Sequence, residues 1–337
     1  MLTIKDFDTI VIVADNISFS KDSIGLYDTE PDRAQKNNVE SLRQGFSQLL
    51  NHVILYDSPQ AFLNNVSSHR NDIIFPYWHG EKSRNKQALI ASICEAGKMV
   101  YIGADTYTNI VCCDKILSKD ICRLAKIKTP KHLVVDHQIN DIDLSLLKYP
   151  LIVKPTYEGS SIGISQDNLI KENNKKRVIQ KINDLHFHLK QPIIIEEFIK
   201  GKEISLSIIG WRNHVKAWGA VERFSPSHPN YFDENIHSFE DKKIGKIHLK
   251  NAHKLISDEN IKKLFNLFYW LDKVEYIRID GKLEGNDFYC FELSHDTTLS
   301  PTGAFFTAFN YNGYDYLNVL KMLINNCLER YNSLHPN

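Results

Sequence analysis

Two alternating stretches near the carboxyl end of the chain, residues 276–283 and 288–294, have the pattern of a β-hairpin. One face of this hairpin carries four polar residues, which are Arg278, Asp280, Glu292 and Ser294. The other face carries Ile277, Ile279, Phe291 and Leu293. If the connecting loop is three residues long, Asp280 lies opposite Glu292, and two facing carboxylates destabilise a hairpin unless a divalent cation lies between them. The pattern therefore predicts either a magnesium site or a solvated face with acids spread by chance.

A second group of polar residues follows a predicted strand at 151–154. Lys154 ends this strand, and the next residues form a loop rich in small side chains, including Ser160 and Ser161. Small residues let backbone N–H groups approach a polyphosphate closely, and a lysine adds a point charge. The stretch lacks the Gly-Lys-Ser/Thr ending of a Walker loop. Its composition alone is compatible with a phosphate-binding loop or with an ordinary turn.

A third group lies at residues 194–203, where an apolar strand runs into Glu196 and Glu197 and then reaches Gly201 and Glu203. Such a segment could offer backbone groups to an adenine ring and a carboxylate to a ribose. The alternative is simple termination of a strand by polar residues.

The elements that must position these residues change in character along the chain. Apolar strands at 9–14, 53–56, 73–77 and 99–102 alternate with predicted helices at 38–50 and 87–96. This alternation is typical of a parallel α/β domain, which we place at residues 1–103.

Beyond residue 103 the order of predicted elements becomes mixed. Helices are predicted at 114–125, 174–189, 260–270 and 314–331, and strands at 132–135, 151–154, 192–197, 204–211 and 215–222. The last two strands indicate an antiparallel sheet, so the expected class is α/β with α+β character in the C-terminal part. The polar stretch 225–243 is predicted to be a long loop, and long loops in compact domains are often functional.

Composition limits the partners and the compartment. The 337 residues carry 41 basic and 41 acidic side chains without a basic run, so neither nucleic acid nor an anionic membrane is an expected partner. The start of the chain is charged rather than apolar, and no uninterrupted apolar segment approaches the ~20 residues of a membrane span. The six cysteines form no C-x-x-C pair, which predicts reduced, mostly buried thiols and a cytoplasmic location.

The three groups occur in the order of one known family. Residues 150–155 (Pro-Leu-Ile-Val-Lys-Pro) and 158–163 (Glu-Gly-Ser-Ser-Ile-Gly) resemble the nucleotide lysine and phosphate loop of D-alanine–D-alanine ligases, which are ATP-grasp enzymes. Residues 196–203 are similar to the family's adenine hinge and ribose acid, and 278–280 with 291–293 are similar to its arginine and magnesium carboxylates. Asp114-Lys115 matches the start of the family's central domain, and His79-Gly80 matches a His-Gly pair of its first domain.

This resemblance implies a three-domain ATP-grasp fold, with further domains at 104–197 and 198–337, that joins a carboxylate to an amine through an acyl phosphate. The implied nucleotide contacts are Lys115, Lys154, Glu158, Ser160, Ser161, Glu196, Glu197, Phe198, Ile199 and Glu203. Asp280, Glu292 and Ser294 are implied as ligands of two Mg²⁺ ions, with Mn²⁺ as a substitute. Catalytic roles are implied for Arg278, Ser160 and His79. Small carboxylate and amino-acid substrates and a homodimer are expected on the same basis.

The sequence departs from the family around the second substrate. Ser294 replaces the asparagine that completes the family's metal ligands, and His295 or Asp296 could compensate. Thr298 replaces a glycine, and Gly303 stands where the family has the serine that binds the acceptor carboxylate. Other departures are His237 and Ser238 in place of a lysine and a tyrosine, residues 81–86 in place of Gly-Glu-Asp-Gly, and 15–22, which lack a glutamate-serine pattern.

We therefore predict a ligase for some amino acid or amine pair other than two D-alanines. One alternative is a catalytically silent protein that binds nucleotide. A second is a ligase with a hydroxyl nucleophile, for which His237 could be the general base, because histidine titrates near neutrality. His237 could equally be an ordinary surface histidine.

Overall fold

A computed structural model describes residues 1–20, 23–80 and 84–335 of the chain. Its first sheet is parallel, in the order β2-β1-β3-β4. The strands are β1 (Thr9–Ala14), β2 (His52–Tyr56), β3 (Ile73–Tyr77) and β4 (Val100–Tyr101). They alternate with α1 (Lys36–Phe46), α2 (Pro59–Asn65) and α3 (Leu89–Ala96). Because both faces of this sheet are covered, β1 is apolar and buried from Ile10 to Ala14, as predicted.

The next part begins with two helices and contains a second, antiparallel sheet in the order β5-β8-β6-β7. Its elements are α4 (Thr106–Cys113), α5 (Lys115–Leu124), β5 (His132–Val135), β6 (Leu151–Pro155), β7 (Leu169–Ile170), α6 (Lys175–Leu189) and β8 (Ile193–Glu197). Asp114 caps α5, because its carboxylate accepts hydrogen bonds from the backbone N–H groups of Ile116 and Leu117. This cap fixes the start of the helix that carries Lys115.

The third sheet is antiparallel, in the order β11-β10-β9-β12-β13. It is built from β9 (Lys202–Trp211), β10 (His214–Phe224), β11 (His248–Asn251), β12 (Tyr276–Glu284) and β13 (Asp287–Ser294). The helices of this part are α7 (Tyr231–Glu234), α8 (Phe239–Ile244), α9 (Asp258–Leu271), α10 (Ala304–Asn310) and α11 (Tyr316–Leu334). Helix α11 packs back onto the first sheet through Val319, Leu323 and Cys327, so the two ends of the chain share one core.

The hairpin of β12 and β13 forms and Asp280 pairs with Glu292, although the three-residue loop on which that pairing was conditional is absent from the hairpin. The strands extend to Glu284 and Asp287 and leave a two-residue turn, in which Gly285 has a φ of 60°. A β-bulge at Phe291 then shifts the register by one residue, so that Asp280 still pairs with Glu292. Because of this bulge, the prediction that Phe291 lies on the apolar face of the hairpin is wrong. Cys290 takes the place in the core, and Phe291 lines the central cavity.

The prediction of a structureless loop at 225–243 is also wrong, because α7 and α8 lie within it. Ser238 and Asp241 form a capping box that starts α8. Phe232 and Ile236 are buried, and Ile236 packs with Leu169 and Phe198. These few apolar residues are too widely spaced for a periodic pattern, which is why sequence reasoning missed the two short helices.

In the described ranges, we find no helix with both the length and the apolar character needed to cross a lipid bilayer. The six cysteines, which all lie in the described ranges, form no disulfide, and Cys113 is partly exposed.

Candidate active site

The floor of the central cavity is one face of the third sheet. Strand pairing aligns its side chains in three rows: Arg223, Glu203 and Lys282; Ser205, Asp280 and Glu292; and Ser207, Arg278 and Ser294. The opposite face of the same strands is apolar and packs under α9. The alternation of the strands therefore gathers acids and cations from positions up to 91 residues apart into a single charged surface.

Asp280 lies at the centre of this floor and is surrounded by donors. The Arg278 guanidinium donates to both of its oxygens, with Nη2–Oδ2 at 2.6 Å and Nε–Oδ1 at 3.0 Å, and the Ser205 hydroxyl donates a further bond. Burial disfavours the charged carboxylate, but Arg278 and Arg223 outweigh it and hold the pKa of Asp280 below its ordinary value. Asp280 is therefore ionised at neutral pH.

Glu292 faces Asp280 and forms an ion pair with a lysine from the opposite side of the cleft. Lys115 Nζ lies 3.1 Å from Glu292 Oε1, and Lys115 is almost fully buried. Burial alone would lower the pKa of Lys115, but the Glu292 carboxylate outweighs it, and the pKa is raised. The lysine thus stays charged where the two acids meet.

The paired carboxylates suit a hard divalent cation. Among the described residues, no group of three or more His, Cys, Asp or Glu side chains is arranged to hold a metal. Mg²⁺ needs few protein ligands, because water and phosphate oxygens complete its octahedral shell. Asp280 and Glu292 with the Ser294 hydroxyl fit that requirement.

Lys154 lies one residue before the end of β6 and forms a buried ion pair. Its Nζ lies 2.6 Å from Glu196 Oε2, and Lys119 Nζ lies 2.6 Å from Glu196 Oε1. Burial opposes ionisation of Glu196, but the two lysines outweigh it and lower its pKa to about 2. The ring centroid of Phe291 is 5.7 Å from Lys154 Nζ, so the bulge of β13 also contacts this lysine.

The loop after β6 adopts the unusual backbone that its sequence permits. Ser160 and Ser161 have φ values of 49° and 62°, a left-handed conformation that is uncommon for residues with a Cβ. The loop is held from three sides: Ser161 Oγ donates to the His237 carbonyl, Lys115 Nζ donates to the Glu158 carbonyl, and Gly163 N donates to the Leu26 carbonyl. Strained residues that the surroundings fix in place are common at ligand sites.

These parts enclose one cavity of about 710 Å³, within the usual range for small-molecule sites. Of the residues predicted from the sequence, those lining it are His79, Lys115, Lys154, Glu158, Ser160, Ser161, Phe198, Glu203, Arg278, Asp280, Glu292 and Ser294. Glu196, Glu197 and Ile199 do not contribute to its lining, and the Glu197 carboxylate instead accepts a hydrogen bond from Lys148 N.

Comparison with known proteins gives a consistent result. The family described as D-ala D-ala ligase C-terminus matches residues 126–325, which is more than half of the chain. The chain belongs to this family.

Relatives and solved structures extend the match beyond that segment. The D-alanine–D-alanine ligase of Ruminiclostridium cellulolyticum is 25% identical over 308 residues, covering 88% of this chain and 79% of that enzyme. The one from Pelagibacter ubique is 30% identical over 178 residues, and the aligned part is 50% of this chain and 53% of that enzyme. The structure of the Bacillus anthracis ligase complexed with ATP has a TM-score of 0.72, is 15% identical, and covers 97% of this chain and 99% of that one. The predicted ATP-grasp fold is confirmed.

This member of the D-Ala-D-Ala ligase family has a polar, hydrogen-bonded wall beside Arg278. Arg278 Nη1 donates to the hydroxyl of Thr297. Gln87 binds the two residues that precede Thr297. Its side-chain N–H donates to Asp296, and its side-chain carbonyl accepts a hydrogen bond of 3.1 Å from His295 Nε2. The expectation that His295 or Asp296 compensates for Ser294 as a metal ligand gains no support, because both side chains are engaged with Gln87.

His79 and Asp15 lie where the first sheet meets the cavity. The fully buried Asp15 carboxylate accepts bonds from the backbone N–H groups of His79 and Gly80 and pairs with Arg33 at 2.8 Å. His79 Nδ1 donates to the Asp32 carbonyl, and its buried Nε2 has no hydrogen-bond partner among the described residues. The Asp15 carboxylate is thus engaged by two backbone N–H groups and by Arg33 of the same chain. The departures from the family pattern at 15–22 and 81–86 include residues 21–22 and 81–83, which lie outside the described residues.

His237 and Ser238, which stand in place of the family's lysine and tyrosine, lie in different surroundings. His237 faces the cleft, with Nδ1 3.7 Å from Glu203 Oε1, and burial lowers its pKa, so it is neutral at pH 7. Ser238 is buried as the cap of α8 and does not line the cavity. The surface-histidine interpretation of His237 is wrong, because its side chain is 16% exposed and faces the cavity.

Sequence reasoning missed three neighbours of the candidate site, which are Lys119, Gln87 and Arg223. Lys119 had a detectable signal, because it follows Lys115 by four residues on a predicted helix and therefore shares its face. Gln87 and Arg223 reach the site through tertiary contacts that no local pattern contains.

Proposed function

We propose that this protein is an ATP-dependent ligase that joins a carboxylate to an amine through an acyl phosphate. The observation that carries the proposal is the pairing of Asp280 with Glu292 across the hairpin, beneath Lys115 and Arg278, in the main cavity. Family membership and the ATP complex of the Bacillus anthracis ligase support the choice of nucleotide.

In this proposal the nucleotide lies between the second and third sheets. Lys154 and Lys115 contact its phosphates as point charges, and the loop of Glu158, Ser160 and Ser161 covers them with backbone donors. Phe198, with backbone groups of residues 196–199, borders the adenine, and Glu203 accepts hydrogen bonds from the ribose. The buried Glu196 keeps Lys154 in position before the nucleotide enters.

Asp280, Glu292 and Ser294 would hold the divalent cations, for which Mg²⁺ is the natural choice and Mn²⁺ a substitute. Bound there, the metal supplies charge neutralisation for the transferring phosphoryl group. The protein side of the step is positioning, since Lys115 and Asp280 are fixed by ion pairs of 3.1 Å or less.

The proposed ligation takes place in two steps. A carboxylate oxygen of the first substrate attacks the γ-phosphorus, and the bond to the ADP oxygen breaks. The amine of the second substrate then attacks the acyl carbon. The bond between this carbon and the phosphate oxygen breaks, phosphate leaves with the electron pair of that bond, and the amine loses a proton. The Arg278 guanidinium, held by Asp280 and Thr297, donates to the oxyanion that forms at the acyl carbon.

The acceptor side supports a substrate pair other than two D-alanines. Ser294, Thr298 and Gly303 all line the cavity and all differ from the family pattern. A silent nucleotide-binding protein and a ligase with a hydroxyl nucleophile stay as alternatives. The second is less favoured, because the ring of His237 faces Glu203 at the nucleotide end.

The test is ADP and phosphate formation by the purified protein with ATP, Mg²⁺ and a panel of amino acids, amines and hydroxy acids, with products identified by mass. We expect amide products from a pair other than D-alanine with itself. Turnover with D-alanine alone would refute the altered acceptor site. Ester products would favour the hydroxyl alternative. Absence of carboxylate-stimulated ADP formation, with nucleotide still bound, would favour the silent protein.

A further inference from the structure

Arg223 is a charged residue of the cavity floor to which the proposed reaction assigns no role. It stands near the end of β10, directly opposite Glu203 on β9, and its side chain is 16% exposed. Its Nε lies 3.9 Å from Glu203 Oε1, and its Nη2 lies 3.9 Å from Asp280 Oδ1. The guanidinium thus spans the first two rows of the floor.

The contacts of Arg223 compensate its charge but leave its donors unused. A guanidinium has five N–H donors in a fixed plane, and buried donors without acceptors cost free energy. Within the described parts of the chain, the guanidinium of Arg223 forms no hydrogen bond, and its two acidic neighbours lie beyond hydrogen-bond distance. This arrangement is typical of a group that awaits an acceptor from a ligand.

Three other cations of the cleft are paired with protein carboxylates. Lys154 is paired with Glu196 at 2.6 Å, Lys115 with Glu292 at 3.1 Å, and Arg278 with Asp280 at 2.6 Å. His237, on the loop side of Glu203, is neutral because burial lowers its pKa. Arg223 therefore supplies a fixed positive charge with free donors between Glu203 and Asp280.

The position of Arg223 determines which part of a bound ligand its guanidinium can contact. In the proposed function, Glu203 binds the ribose and Asp280 binds the metal at the terminal phosphates. Adjacent rows of an antiparallel sheet are about 7 Å apart along the strands, so a group that connects the two rows must run past the guanidinium. The connecting group of a nucleotide is its chain of inner phosphates.

We propose that Arg223 binds the α- and β-phosphates of the nucleotide, a role that rests on the proposed function. An arginine suits this task because its planar fork can donate two parallel hydrogen bonds to phosphate oxygens. The residue discriminates nucleotides by their phosphates rather than by their base.

The test is calorimetric binding of ADP with Mg²⁺, AMP and adenosine to the wild-type protein and to Arg223→Met. We expect ADP affinity to fall about tenfold or more, AMP affinity to fall less, and adenosine affinity to stay unchanged, because charge-assisted hydrogen bonds are the strong ones. Arg223→Lys keeps the charge without the fork and should lose ADP affinity by a smaller factor.

The matched control is Lys250→Met. Lys250 lies on β11 opposite Glu222, the residue before Arg223, and pairs with Glu222 at 3.0 Å outside the cavity lining. The same loss of charge at Lys250 should therefore leave all three affinities unchanged. Equal weakening of ADP and adenosine by Arg223→Met, or no weakening, would overturn the proposal. If Arg223→Met does not fold, Arg223→Lys decides by the same comparison. A wild-type protein that binds none of the three ligands would overturn the proposed function itself.

Discussion

Glu196 and Lys154 form an ion pair of 2.6 Å in a part of the molecule that water barely reaches, since Glu196 is 1% exposed. The other oxygen of Glu196 lies 2.6 Å from Lys119, so one carboxylate joins β8, β6 and α5. The acid between the two lysines fixes the strand end that carries Lys154. The proposed nucleotide lysine is thus positioned by a residue that does not itself line the cavity.

Replacing Glu196 with glutamine should destabilise the protein by about 3 kcal/mol or more, because it leaves two buried ammonium groups without their counter-ion. The free energy of unfolding from urea denaturation measures this loss. Glu40→Gln is the control, because Glu40 is exposed and pairs with Arg43 on the helix surface, where such pairs contribute little. Equal stability of the two variants would contradict the buried pair.

The same carboxylate predicts how stability responds to acid. Its pKa in the folded state is about 2, below the ordinary 4.5, so the unfolded chain takes up this proton first as the pH falls. The stability that Glu196 contributes is complete above pH 4.5 and is lost as the pH falls towards 2. The difference in unfolding free energy between wild type and Glu196→Gln should therefore be constant from pH 7 to about 5 and shrink below that. A constant difference down to pH 3 would be inconsistent with the ion pair.

The metal assignment predicts that Asp280→Asn reduces Mg²⁺-dependent ADP formation at least about a hundredfold, because metal-ion catalysis is worth several kcal/mol. Binding of nucleotide in the absence of metal should persist, which calorimetry measures. Glu284→Gln is the matched control, since Glu284 lies on the same strand but is exposed at the turn. Similar activity of wild type and Asp280→Asn would remove Asp280 from the metal site.

Much of the fold could be predicted from the sequence, because strand alternation and helix periodicity are local. The hairpin shows the limit of this reasoning. The pairing of Asp280 with Glu292 was conditional on a three-residue loop, whereas the pair results from a two-residue turn at Gly285 and a bulge at Phe291. The shorter turn and the bulge offset each other in the register of the acids, but the bulge turns Phe291 towards the cavity.

The parts of the site that escaped prediction depend on contacts between distant segments. Gln87 bonds to His295, 208 residues away, and the ion pair of Lys119 with Glu196 joins a helix to a strand. Arg223 comes one residue after a predicted strand, and only the pairing of β10 with β9 places it beside Glu203. Such contacts follow from the packing of whole elements, which single-sequence patterns do not contain.

Ser294 provides the last prediction, because it stands where the family has an asparagine. Its hydroxyl lies 3.4 Å from Arg278 Nη2, on the same face of β13 as Glu292. An amide oxygen is a better neutral ligand for Mg²⁺ than a hydroxyl, so Ser294→Asn should lower the Mg²⁺ concentration for half-maximal ADP formation by about tenfold. Ser145→Asn, at an exposed position, is the control and should leave that concentration unchanged. An unchanged midpoint in Ser294→Asn would exclude Ser294 from the metal shell, whereas a higher midpoint would mean that the longer side chain displaces Arg278.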